Sequence, residues 1–323
     1  MPNMRAGIAT AEGVAFHTDI PRPSPGAGQI LVRVAAAGLN RADLGNQRTK
    51  EGPVKVVGQE WAGEVAEVGA GVANVKKGDH VMCFGRNGGY AEYAVTEAVW
   101  AWPYNPKQIK AEQAAALPLT LLTAHDALAT RGLLQKGQNV LVQGASSGVG
   151  IMTLQVARHL GATHIVGTSR DTSKYDRLKE LGATLMVNSN EPTWVADVMK
   201  ATDGKGCNVT VDMVSGKTVN DSVQATAILG HIVNVGRLGG NAAEFNFGAH
   251  AVRRISYVGV TFTTRSTAEI GDLVTRMTAE VMPAVSAGRI SQPIDRTFKL
   301  EDASQALAIM DKNGQFGKIV LTI

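Results

Sequence analysis

Cysteine is scarce in this chain. Cys83 and Cys207 are the only two in 323 residues, they lie far apart, and neither belongs to a C-x-x-C pair. A disulfide scaffold and a cysteine-rich zinc site are therefore excluded. Long apolar runs are missing as well. The most apolar window, AAALPLTLLTA at 114–124, is too short and too broken by proline to span a bilayer. The first residues, MPNMRAGIATAEG, lack the apolar core of a secretory signal. The expectation is a soluble cytoplasmic protein with no membrane partner. Basic stripes are absent too: the net charge is +4, and even Lys76-Lys77 and Arg253-Arg254 stand alone. No nucleic-acid partner is expected. There is no internal repeat or low-complexity tract.

What is present divides in two. A chain of 323 residues exceeds the usual span of one hydrophobic core. From Gly28 to about Trp102, short runs such as QILVRVAAA, EWAGEVAEVG and DHVMCFG are separated by Gly, Pro, Asn and Asp, the pattern of a small β unit. From about Leu119 the texture changes to alternation. Strands are predicted at NVLVQ, HIVGT, LMVN, VTVDMV, HIVNVG and SYVGV, with helices at 149–160, 173–182, 194–202 and 218–229. Apolar strands linked by helices make an α/β, doubly wound parallel sheet. After Val260 come one long helical pattern, the segment IDRTFKLEDASQALAIMDK and the closing strand GKIVLTI, which exceed what that sheet needs. They are expected to return to the first domain. The predicted domains are 1–121 with 263–323, and 122–262 inserted between them.

The inserted domain opens on VLVQGASSGVGIMTLQVARHLGA, a strand, a glycine-rich turn and a helix. Aligned on its last glycine, a G-x-G-x-x-G fingerprint falls on Ala145, Ser147 and Gly150. Small residues there leave room for the amides of Ser146, Ser147, Gly148 and Val149 to approach a pyrophosphate at the positive end of the helix. The loop also resembles the TGxxxGxG of short-chain dehydrogenases, and Tyr175 and Lys179 have the Y-x-x-x-K spacing of that family. There the pair follows the loop by more than a hundred residues, whereas here it lies on the next helix, so both side chains read as solvated. After the second strand an NAD site would place an acid against the ribose 2′-hydroxyl. This chain has Ser169, Arg170 and Lys174 instead, a hydroxyl and two cations suited to a 2′-phosphate. NADPH is the expected cofactor.

The order of parts resembles the medium-chain dehydrogenase/reductase superfamily over essentially the whole chain. The likeness is carried by AAGLNRADL (36–44), VGQEWAGEVAEVGAGV (57–72), KKGDHVMCFGRNGGYAEYAV (76–95), AAALPLTLLTAHDAL (114–128), the GASSGVG loop and FGKIVLTI (316–323). It implies a Rossmann domain inserted in a discontinuous GroES-like, mostly β catalytic domain. At the positions of the catalytic zinc ligands this chain has Asn40, Gln59 and Leu119, which make no metal site. NRADL, TFTTRS, EVMPAVSAGRI and IDRTFKLEDASQALAIM look most like the zinc-free NADPH quinone oxidoreductase branch. The chain departs from that branch at Gly45 and in QRTKEGPVKVV, which lacks an aromatic.

The resemblance implies hydride transfer to a quinone or other conjugated carbonyl. An enoyl or alkenal double-bond reductase and a non-catalytic NADPH-binding protein stay open as alternatives. Asn40 is the candidate to orient the substrate carbonyl, Thr123 is placed near the nicotinamide, and Asp43 braces the turn. His125 reads as structural. Asn40, Asn188, Val235, Gly236, Phe262 and Lys318 join the expected cofactor contacts. The apolar strand SYVGVTF (256–262) is a poor edge to leave open to water, and a homodimer through it is expected.

Overall fold

The computed structural model describes residues 2–49 and 53–323. Residues 50–52 of the QRTKEGPVKVV segment lie outside the described residues. The chain forms two compact units, residues 1–119 with 263–323, and residues 120–262.

The first unit opens with an antiparallel pair, β1 (Asn3–Ala9) and β2 (Val14–Pro21). β3 (Gln29–Gly38) then runs into the short helix α1 (Arg41–Asn46). β4 (Glu60–Val68), β5 (His80–Phe84), β6 (Tyr93–Glu97) and β7 (Ala101–Pro103) follow. Next come α2 (Ala111–Ala115) and α3 (Pro118–His125), within which the unit boundary falls.

The second unit alternates as its sequence pattern requires. It contains β8 (Val140–Gln143), α4 (Gly148–His159), β9 (Ile165–Thr168), α5 (Tyr175–Glu180), β10 (Leu185–Val187) and α6 (Trp194–Ala201). β11 (Cys207–Asp212), α7 (Val219–Ala225), β12 (Thr226–Asn234), α8 (Phe247–Arg253) and β13 (Ser256–Gly259) complete it. The strands run parallel in the order β10-β9-β8-β11-β12-β13. Every residue of β8 and β9 is buried, as expected of strands covered on both faces.

The tail returns to the first unit as α9 (Thr267–Ser286), β14 (Ile294–Lys299), α10 (Ala303–Asp311) and β15 (Lys318–Thr322). α9 starts on a capping box, with Ser266 and Glu269 exchanging hydrogen bonds. β15 lies beside β3 in a seven-stranded sheet, pairing Val320 with Gly38. That pairing brings the carboxyl-terminal strand to the turn after β3.

Within the parallel sheet and its crossover helices, two elements differ from the sequence reading. The helix expected over 218–229 stops at Ala225, and Thr226–Leu229 belong to β12. Thr226 ends the helix: its backbone is extended, at φ −87° and ψ 138°, it pairs with Cys207 of β11, and its hydroxyl lies 2.7 Å from Thr210 Oγ1 on that strand. Pairing with β11 then jumps from Cys207–Thr226 to Val209–His231, so the intervening residues of β12 bulge. The second difference is α8, a short helix capped by Asn246 in a stretch with no helical expectation.

The glycine loop answers its own spelling. Gly144 takes φ 75°, and a Cβ on Gly150 would stand 2.5 Å from the Gly144 carbonyl oxygen and 2.8 Å from Ala145 Cα. Only glycine lets α4 sit this close to the loop. Replacing Gly150 with Ala should destabilise the fold by about 1 to 3 kcal/mol, since the steric cost outweighs alanine's helix preference. A chemical denaturation curve measures it, and a variant as stable as wild type would refute the close-packing role.

Candidate active site

In the first unit the turn after β3 converges on a buried polar cluster. Gly38 ends the strand, and a Cβ there would stand 2.5 Å from Glu60 Oε1, so glycine admits the carboxylate. Asn40, at the N-cap of α1, donates from Nδ2 to Glu60 Oε1 at 2.9 Å and to the Gly38 carbonyl at 3.4 Å. Its Oδ1 accepts from Lys318 Nζ at 2.7 Å. Lys318 also donates to the Leu39 carbonyl and lies 2.5 Å from Glu60 Oε1. The backbone N–H of Leu119 reaches Glu60 Oε2 at 2.7 Å. All three ammonium hydrogens and both carboxylate oxygens are thus engaged inside the unit.

Behind Asn40 lies Asp43, whose Oδ2 accepts from the Asn40 N–H and the Tyr90 hydroxyl, both at 2.8 Å. Burial pushes the Asp43 carboxyl up to about 7, while those two donors and Lys318 hold it down and Glu60 adds to the rise. Burial and the neighbouring Asp43 likewise raise the Tyr90 hydroxyl well above its ordinary value. Tyr90 carried no signal in the sequence, because nothing in the spacing of 43 and 90 joins them.

In the second unit the candidate cofactor residues gather on the carboxyl edge of the parallel sheet, where open α/β sheets bind ligands. Ser146–Val149 follow β8 and open α4; Ser147 caps that helix, accepting from the Gly150 N–H at 3.0 Å. The expected role of Ser147 was room for a ligand, and its hydroxyl serves the helix. Ser169 and Arg170 follow β9, Ser169 buried and Arg170 exposed. Lys174 lies 3.5 Å from Asp171, which itself caps the next turn through Ser173. Asn188 follows β10. Tyr175 is half-buried, with its hydroxyl on the Ser169 carbonyl, rather than solvated; Lys179 is exposed. Thr123 and His125 are buried in α3, and Phe262 closes the unit.

Val235 and Gly236 follow β12, and both N–H groups bond the Asp212 carbonyl, at 2.8 and 3.1 Å. Beneath them sits a cluster the sequence did not reveal. Asp212 Oδ1 accepts from the Val214 and Ser215 N–H groups at 2.8 and 2.9 Å. Ser215 Oγ donates to the Gly236 carbonyl at 2.8 Å and is itself bonded by Asn234 Nδ2. Burial raises the Asp212 carboxyl, and the two N–H donors oppose it.

The loop and helix start fit a dinucleotide: side chains are small where the backbone must approach a phosphate, from Gly144 to Gly148, and α4 presents its positive end. The metal positions do not fit zinc. Asn40 is an amide engaged at both ends, Gln59 is another amide, and Leu119 offers a backbone N–H already bonded to Glu60. Among the described residues no group of three or more His, Cys, Asp or Glu could hold a metal ion. No described helix is long and apolar enough to cross a membrane.

Known proteins match along the whole length. Residues 26–106 match the alcohol dehydrogenase GroES-like domain and residues 148–279 the zinc-binding dehydrogenase family. A quinone oxidoreductase of Rattus norvegicus is 29% identical over 318 residues, 97% of this chain and 94% of its own. The synaptic vesicle membrane protein VAT-1 homolog of the same species is 30% identical, covering 93% of this chain and 78% of its own. A mycobacterial protein solved in complex with NADPH superposes with a TM-score of 0.88 at 25% identity, over 99% of this chain and 100% of its own.

The cluster around Glu60 makes a stability claim. Lys318→Met leaves a buried carboxylate without its cation and should cost about 3 to 5 kcal/mol. Adding Glu60→Gln should recover part of that loss. Urea unfolding of both variants checks it; a single-variant loss below about 1 kcal/mol would mean the pair is not the anchor of the turn.

Proposed function

Because the chain belongs to the medium-chain dehydrogenase/reductase superfamily and is an oxidoreductase of that family, we propose that it transfers hydride from NADPH to a quinone or other conjugated carbonyl without a metal ion. The observation that carries this reading is that the first metal-ligand position holds Asn40, an amide tied to Glu60 at one end and Lys318 at the other, with Gln59 and Leu119 at the other two positions. Reduction of a simple ketone builds alkoxide character that calls for a Lewis acid. A quinone or enone spreads the incoming charge as a phenolate or enolate, and hydrogen-bond donors suffice. The relative named a quinone oxidoreductase supports the same substrate class.

NADPH, when bound, supplies the hydride. Ser146–Val149 take the pyrophosphate, and Ser169, Arg170 and Lys174 take the 2′-phosphate, for which the exposed Arg170 is the freest cation. Asn188, Val235, Gly236, Phe262 and Thr123 line the rest of the dinucleotide. Asn40 orients the substrate carbonyl: its second amide hydrogen makes only the long bond to the Gly38 carbonyl, at 3.4 Å, and is the one to be shared with a substrate oxygen. Lys318, with its donors engaged, acts through Asn40 rather than on the cofactor.

A panel of 1,4-quinones, enones and simple ketones, scored by NADPH oxidation, tests this. Turnover is expected with quinones and to persist in chelator, and Arg170→Ala should weaken NADPH binding by about 1.5 to 3 kcal/mol while sparing NADH. Preference for enones moves the substrate to the double-bond reductases; no turnover with NADPH still bound makes the protein a binder. Loss in chelator restored by zinc would defeat the metal-free reading.

The proposal includes a homodimer through β13. Among the described residues that strand pairs only with β12, and nearby Phe247 and Val252 are 75% and 79% exposed. Val260 N–H bonds inward to Asn234, so by alternation Tyr257 and Gly259 point their N–H groups away from β12. Sedimentation at micromolar concentration should show a dimer, and Gly259→Pro should dissociate it with the fold intact. A monomeric wild type rules the contact out.

A further inference from the structure

Asp43 has no exposed surface, and its two oxygens are treated unequally. Oδ2 accepts from both the Asn40 N–H and the Tyr90 hydroxyl, whereas Oδ1 is buried with no partner among the described residues. Nothing in the reaction proposed above uses Asp43 or Tyr90.

The tyrosine has nowhere else to go. Gly58 lies at φ 102°, and a Cβ there would stand 2.4 Å from the Tyr90 ring. The Tyr90 N–H bonds the Val57 carbonyl at 2.8 Å, and its own carbonyl accepts from Gly7 N–H at 2.7 Å. Backbone and ring are therefore both fixed, and the hydroxyl is aimed at Asp43. Through Asp43 it fixes the N–H of the residue whose amide bridges Lys318 and Glu60.

We infer that Asp43 and Tyr90 are a positioning pair for Asn40, holding its backbone through one shared carboxylate oxygen and so setting the plane of its side-chain amide. The functional consequence rests on Asn40 being the group that orients the substrate. The pair is sensitive to pH, because an ionised carboxylate makes bonds roughly twice as strong as a neutral one. Burial puts that change near 7. The titratable and charged groups facing Asp43 are Tyr90 ahead of β6, Lys318 on β15, which favours the ionised form, and Glu60 on β4, which opposes it. Above this point the turn is clamped, and below it the clamp loosens.

The test needs no turnover, so it stands apart from the assignment of substrate. In the full chain without ligand, the ¹H–¹⁵N signals of the Asn40 side-chain amide are identified by their loss in Asn40→Ala and followed from about pH 5.5 to 8.5. They should follow one titration with its midpoint near 7. Tyr90→Phe removes a donor to the ionised form and should move that midpoint up by about one pH unit. Asp43→Asn should flatten the curve; where that variant fails to fold, Tyr90→Phe alone decides. An Asn40 amide that ignores pH in the folded wild type, or a midpoint unchanged in Tyr90→Phe, overturns the proposal. With a quinone that turns over, Tyr90→Phe should lower kcat about tenfold near neutrality and leave the KM for NADPH within about twofold. A loss confined to KM would also count against it.

Discussion

Glu60 and Lys318 stand 2.5 Å apart in the interior of the first unit, both essentially sealed from water. Removing two charges from water costs several kcal/mol each, and their attraction repays this only when every remaining donor and acceptor is matched. Here the matching is complete, and it explains the local architecture. Leu119 N–H and the Asn40 amide saturate the carboxylate, while the Leu39 carbonyl and Asn40 Oδ1 saturate the ammonium. Gly38 supplies the space, and β15 must lie against β3 for the ammonium to arrive at all. One ion pair thus ties the last strand, the α1 turn, β4 and the start of α3 together.

The second unit holds its loops by a similar device. Asp212 is buried at the end of β11, and its carboxylate receives the two N–H groups that begin the next loop. Ser215, held there at φ 57°, turns its hydroxyl onto the Gly236 carbonyl. Interior carboxylates in both units therefore shape backbone at the places where ligands are expected. A short polar side chain relays the constraint in each case, Asn40 in one and Ser215 in the other.

Such clusters bear on the chemistry through rigidity. An amide engaged at both ends keeps its plane, and an orienting group is effective only when its geometry is set before the substrate arrives. A metal ion would impose that geometry by coordination. On the proposed function, side-chain hydrogen bonds impose it in this chain, as suits substrates whose developing charge is already delocalised.

The sequence by itself determined the two-part organisation, the parallel sheet and the glycine turn. These follow from periodicity and from small residues at fixed local spacing, and both are properties of neighbouring positions. It also exposed the mismatch at the metal positions, since Asn40 and Gln59 have the wrong donor chemistry wherever they fold. It misjudged the end of the helix before β12, because Thr226 is helical by pattern and is drawn into the sheet by its pairing with Cys207 and its contact with Thr210 on β11. Lys318 was expected at the cofactor, and Tyr90 was silent. Only the tertiary structure placed Lys318 on Glu60 and Tyr90 on Asp43. Pairing between residues far apart in the chain leaves no periodic trace; it is decided by which strands lie side by side and by the need of each buried charge for a partner.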